Sequence, residues 1–117
     1  MQIKKIYKNV LPELLYDEVK DLVLKQGLIL GESKLSTYSL PEDSSYFIYR
    51  GLISFKSLNK KGDTEIESVR ADIQGSAKGE TKLVLDVNTE LLDQEKIKSF
   101  QNDLDFLFGS NEVKQNR

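Results

Sequence analysis

Apolar and polar positions alternate over three successive stretches between Tyr46 and Leu92. Residues 46–56 are rich in aromatic and β-branched side chains, and residues 64–74 and 80–89 repeat the two-residue period, so three strands are predicted. The segments between them, 59–63 and 75–79, carry turn residues: Gly62 tolerates a positive φ and Asp63 can bond its own backbone. A strand that slips by one residue moves its apolar set to the other face, so the pattern constrains the pairing. Pairing Leu58 with Thr64, and Gln74 with Glu80, gathers Phe47, Tyr49, Ile53, Phe55, Val69, Ala71, Ile73, Leu83, Leu85 and Val87 on one face. The opposite face then sets Arg50 across from Asp72, Asp72 across from Lys82, and Arg70 near Asp86. Opposite charges so placed contribute ~0.2–1 kcal/mol each. Glu67 falls on the apolar face, which predicts either a position at the rim or a bulge near residues 67–68 that turns it out.

Around this meander the period changes to that of helices. Leu11, Leu15, Val19, Leu22 and Val23 make one stripe over residues 11–26. Pro12 suits a first turn, Glu13, Asp17 and Glu18 come early, Lys25 comes late, and Gly27 follows as the stop. Asp93 precedes a second stripe, Ile97, Phe100, Leu104, Leu107 and Phe108, predicting a capped helix over residues 94–108 that ends at Gly109. Residues 1–9 read as a short edge strand or as the start of the first helix. Residues 28–40 read as one strand, or as two interrupted at 31–33, and residues 40–45, with Pro41, as a loop. Residues 110–117 are polar and aperiodic, predicting a disordered tail.

The expectation is a single α+β domain over residues 1–117. It is an antiparallel β-meander of three to five strands, with an N-terminal and a C-terminal helix packed on one face. The C-terminal helix is expected to cover the sheet, with Phe100 and Leu104 against Ile53, Val69 and Leu85. In architecture this resembles helix-grip lipid-binding domains and small secretion-chaperone folds, but a shared fold does not carry function.

Composition narrows the chemistry. At 38% hydrophobic and 31% charged, the chain can bury a core and still be heavily solvated. The net charge is −2 and only three of the seventeen basic residues are arginine, which argues against general nucleic-acid binding. There is no cysteine and no histidine. Thiol chemistry, Cys/His metal sites and a Ser-His-Asp triad are therefore excluded, and a reducing, cytoplasmic setting fits. The first ten residues have no long apolar run, so no signal peptide is expected, and no stretch approaches the ~20 apolar residues of a membrane span.

Each remaining motif has an ordinary structural reading. Asp103 and Asp105 stand about 200° apart on a helix, so they diverge rather than converge on a cation with Asp93 and Glu95. Asp63 and Glu65 beside Gly62 lack the spacing of a calcium loop. Lys60 and Lys61 suit a hairpin tip. The glycines at 75 and 79 precede a strand, so no helix N-terminus is offered to a phosphate. No metal, cofactor or catalytic set is predicted. Two sets of residues stand out. Arg50, Arg70, Asp72, Lys82 and Asp86 form a candidate polar interaction face. Tyr49, Phe55 and Phe100, within an aromatic group that includes Tyr38, Tyr46, Phe47, Phe106 and Phe108, could line an apolar pocket beneath the C-terminal helix. The expected function is accordingly a non-catalytic protein-interaction or regulatory domain whose partner is another protein or a second copy of itself in a homodimer. The alternative is a small carrier or enzyme using the apolar pocket.

Overall fold

A computed structural model describes the backbone of residues 1–40, 43–59, 61–76 and 79–113. The elements run β1 (Gln2–Lys8), α1 (Pro12–Lys25), β2 (Ile29–Leu40), β3 (Asp43–Leu58), β4 (Glu65–Ser76), β5 (Glu80–Val87) and α2 (Gln94–Phe108), followed by a 3-10 turn at Gly109–Asn111. The fold is α+β: a five-stranded antiparallel sheet ordered β1-β5-β4-β3-β2, with both helices packed on it.

The first segment is therefore a strand, placed against β5 from Gln2↔Asp86 to Lys8↔Glu80. Residues 29–40 form one strand with two irregularities, one between Ser39 and Leu40 and one between Leu30 and Ser33, where Gly31 and Glu32 oppose one residue of β3. β3 begins at Asp43, so the loop expected over 40–45 is shorter than its composition suggested, and Pro41 lies outside the described residues.

The meander pairs with the predicted faces but not the predicted partners. Asn59 donates to the Thr64 carbonyl, so the ladder closes at Leu58↔Glu65, one residue further along than expected. Gly62 sits in that turn at φ 75°. A bulge then places Glu67 opposite Lys56 and Val69 opposite Phe55, with Ser68 as the extra residue. It turns Glu67 to the polar face and adds the second residue of shift. Because the total is two residues from Val69 onward, every side chain beyond the bulge keeps its face while its partner changes. Gly51 faces Ile73 rather than Ala71, and Arg50 faces Gln74 rather than Asp72. Across the next turn Ala71 faces Leu85 and Asp72 faces Val84, not Lys82.

One face of the sheet carries the core. Ile53, Phe55, Val69, Ala71, Ile73, Leu83, Leu85 and Val87 are all buried, and β1 adds Ile3 and Tyr7. Two glycines on this face decide which helix lies where. A Cβ at Gly51 would meet the Tyr16 ring at 2.5 Å, and one at Gly75 would meet Pro12 at 3.2 Å. These close approaches seat α1 over β3 and β4, the middle of the sheet. α2 lies beside it over β1, where the Phe108 ring is 5.8 Å from that of Tyr7. Both helices pack on one face, as expected, and they divide it: the flat spot at Gly51 admits α1, so the expected contact of α2 with Ile53 is the part that changes. Phe100 still shares a wall with Val69 and Leu85, whereas Ile53 lies in the strand beneath α1.

The helix limits follow local chemistry. Pro12 opens α1, and Gly27 follows it at φ 91°. The Asp93 carboxylate accepts from the Lys96 amide at 2.9 Å, capping α2. Each apolar stripe loses one member, and that of α1 gains two. Leu11 and Leu107 are exposed, while Pro12 and Tyr16 are buried.

The polar C-terminal segment, expected to be disordered from residue 110, begins with ordered contacts to β1. The Val113 amide donates to the Ile6 carbonyl at 2.7 Å, the Asn111 amide group donates to the Lys8 carbonyl at 3.0 Å, and Glu112 bridges to Tyr7. Residues 114–117 lie outside the described set. Deleting residues 111–117 is therefore expected to cost about 1–3 kcal/mol, the net worth of two or three hydrogen bonds. Chemical denaturation of the truncated chain checks this, and an unchanged midpoint would show that these contacts do not hold the β1 edge.

Candidate functional site

The helix-free side of the sheet is built by the even-numbered residues of β1, the regular part of β3, β4 from the bulge onward, and β5. Arg50, Arg70, Asp72, Lys82 and Asp86 all stand on it, because strand alternation sends them away from the core. Their pairing differs from the predicted row. Arg50 donates to Asp72 at 3.3 Å diagonally, across a two-residue offset. Arg70 pairs with Glu67 at 3.3 Å, although its neighbour across the ladder is Asp86. Asp86 accepts instead from the Gln2 side chain at 3.1 Å. Lys82 lies between Gln74 and Ile6.

The face is not uniformly polar. Leu52 and Val84 flank Asp72 on the two neighbouring strands, and Leu52 and Ile48 are both exposed. The two apolar neighbours shield one Asp72 oxygen, Oδ1, which is buried and has no hydrogen-bond partner among the described residues. The other oxygen holds Arg50. Oδ1 is therefore closed to an incoming group, and what the face presents outward is Arg50, Lys82, Leu52 and Ile48. No group of three or more acidic residues is positioned to hold a metal ion among the described residues.

The candidate pocket residues do not converge. Phe55 is fully buried in the sheet core, and Tyr49 is half-buried opposite Gly75. Phe100 lines a space with Ile97, Ile3, Val69, Leu85 and Val87, but that space holds only about 20 Å³. That is room for one water molecule. The side chains of Tyr38, Tyr46 and Phe47 lie outside the described set, and Phe106 is 89% exposed on the outer side of α2.

A cluster that the sequence did not single out sits on the core side of β1. Lys5 reaches Glu112 at 3.3 Å and Asp105 at 3.9 Å. Beside them Tyr7 is completely buried, and its hydroxyl has no hydrogen-bond partner among the described residues. Burial, with smaller contributions from the Glu112 and Asp105 carboxylates, pushes the Tyr7 phenol well above its ordinary range. The alternation of Ile3, Lys5 and Tyr7 on one strand face was the available signal, but it could be read only once residues 1–9 were known to be a strand.

Tyr7 gives a pH prediction. A phenol with a raised folded-state pKa stays protonated in the native chain while the unfolded chain ionises at about pH 10. Its contribution is thus fully present below that pH and is lost as the pH rises toward the folded value. Tyr7→Phe should remove this part of the alkaline loss. It should also leave neutral-pH stability unchanged or raised by about 1 kcal/mol, since it deletes an unpaired buried hydroxyl. Melting curves at pH 7 and pH 11 for both chains check this. An equal alkaline drop in the two would show that Tyr7 does not carry it.

No family model matches this chain, and neither a curated protein nor a solved structure is found similar to it. Among the described residues no helix is long and apolar enough to cross a membrane.

Proposed function

We propose that this chain is a non-catalytic protein-interaction or regulatory domain that works as a homodimer and offers its helix-free sheet face to another protein. The observation that carries the reading is the makeup of that face. Exposed Leu52 and Ile48 are set among Arg50, Asp72 and Lys82. Apolar anchors within a polar surround are the usual anatomy of a protein contact. The pocket alternative draws little support: about 20 Å³ lies beneath α2, against the ~300 Å³ or more of a small-molecule site.

The test uses a photo-crosslinking residue placed in cells at Leu52, with Asp21 on the exposed side of α1 as the control. A discrete heterologous adduct at Leu52 and none at Asp21 is expected, and it should be lost when Arg50→Glu and Lys82→Glu are added. Light scattering should give twice the 13.4 kDa of one chain. Equal labelling at the two sites would overturn the partner-binding face, and a single-chain mass at 100 micromolar (on the order of typical transient affinities) would overturn the homodimer.

A further inference from the structure

We propose that two copies join through their β2 strands, antiparallel about a two-fold axis at Ser33, to make one continuous sheet. This rests on the homodimer reading above and assigns its interface. The two edges of the sheet are not equivalent. The free edge of β1 is occupied by its own chain, since the Val113 amide and the Asn111 side chain bond the Ile6 and Lys8 carbonyls. β2 is the terminal strand on the other side, twelve residues long, with no strand beyond it among the described residues. Such an edge is a row of unpaired backbone donors and acceptors that a further strand can complete.

The side chains of β2 complement themselves. With Ser33 on the axis, Glu32 of each copy faces Lys34 of the other. Both are exposed, and neither forms an ion pair among the described residues. They share one face: Lys34 lies opposite Leu52, and Glu32 lines the same shallow groove as Lys34, Leu52 and Arg70. On the other face, the extra residue at Gly31 and Glu32 brings Leu35 of one copy level with Leu30 of the second. These two are 41% and 39% exposed in the single chain and lie on the core side, opposite Gly51 and Phe55. The pairing thus makes two ion pairs and two leucine contacts from groups that otherwise face water. A lysine and a bulge on an edge strand are common guards against pairing. Here the guard is specific: an axis at Lys34 would oppose two lysines, whereas the axis at Ser33 opposes unlike charges.

The experiment measures mass by light scattering and dimer dissociation by dilution. Lys34→Glu should weaken the dimer about tenfold, since two favourable cross-strand pairs become repulsive. The exchange of both charges, Glu32→Lys with Lys34→Glu, should restore it. The native chain has no cysteine, so Ser33→Cys should yield a covalent dimer with a short thiol-to-thiol cross-linker, because residues directly opposite across strands have Cβ atoms about 4.5–5.5 Å apart. A dimer that forms no such cross-link, or that ignores the charge reversal, would overturn the β2 interface and leave the homodimer reading standing. A single-chain mass for the unmodified protein would overturn both.

Discussion

Phe100→Ala is expected to destabilise this protein by about 3–5 kcal/mol, a large share of what holds a domain of this size folded. The ring is 6% exposed in the middle of α2. It lines one small space together with Val69, Leu85 and Ile3, which stand on three different strands. About 20 Å³ of space already adjoins it. The cavity left by alanine would merge with that space, placing the cost toward the upper end of the range. At about 4 °C per kcal/mol the melting temperature should fall by more than about 10 °C. Phe106→Ala, at the 89% exposed position of the same helix, is the control and should shift melting by a degree or two at most. Similar melting temperatures for the two variants would show that α2 does not brace the sheet.

Gly51→Ala should be the second large effect, opposite in sign to what the sequence suggests. In an extended strand, alanine normally improves on glycine by reducing the freedom of the unfolded chain, by about 0.4–1 kcal/mol. Here the added Cβ would lie 2.5 Å from the Tyr16 ring, which is buried and held at its far end by a 2.7 Å hydrogen bond to Ser33. The ring cannot swing away without breaking that bond or lifting α1. Overpacking of this kind costs about 1–3 kcal/mol. The pair should therefore be strongly non-additive: in a Tyr16→Ala background, Gly51→Ala should become neutral or stabilising. A double-mutant cycle by urea denaturation measures the coupling, and additive effects within about 0.5 kcal/mol would show that α1 does not bear on β3 at this point.

The candidate face shows why legibility was uneven. That Arg50, Arg70, Asp72, Lys82 and Asp86 share one side of the sheet followed from alternation alone, and an even error in register leaves it intact. Their actual partners depended on the length of one turn and on the bulge at Ser68. The misplaced Glu67 signalled that bulge, but only the backbone fixed how far it shifted the ladder. The pocket reading fared differently. Aromatic residues spaced along a strand and a helix do not reveal how closely the two surfaces meet, and here Tyr16 fills the hollow at Gly51.

The α+β class, both helices with their end signals, the three strands of the meander and their faces, and the absence of thiol and imidazole chemistry could all be read along the chain. These rest on short-range physics: side-chain period, turn residues, capping groups and composition. Long-range packing supplied the rest. It made Gln2–Lys8 a strand, because β5 offers these residues an edge. It set α1 rather than α2 over the centre, because two glycines in different strands align beneath Pro12 and Tyr16. It brought residues 111–113 onto β1, leaving β2 as the edge with no strand outside it among the described residues. Each of these is a contact between segments far apart in the chain, and local periodicity carries no information about which distant surface a segment will meet.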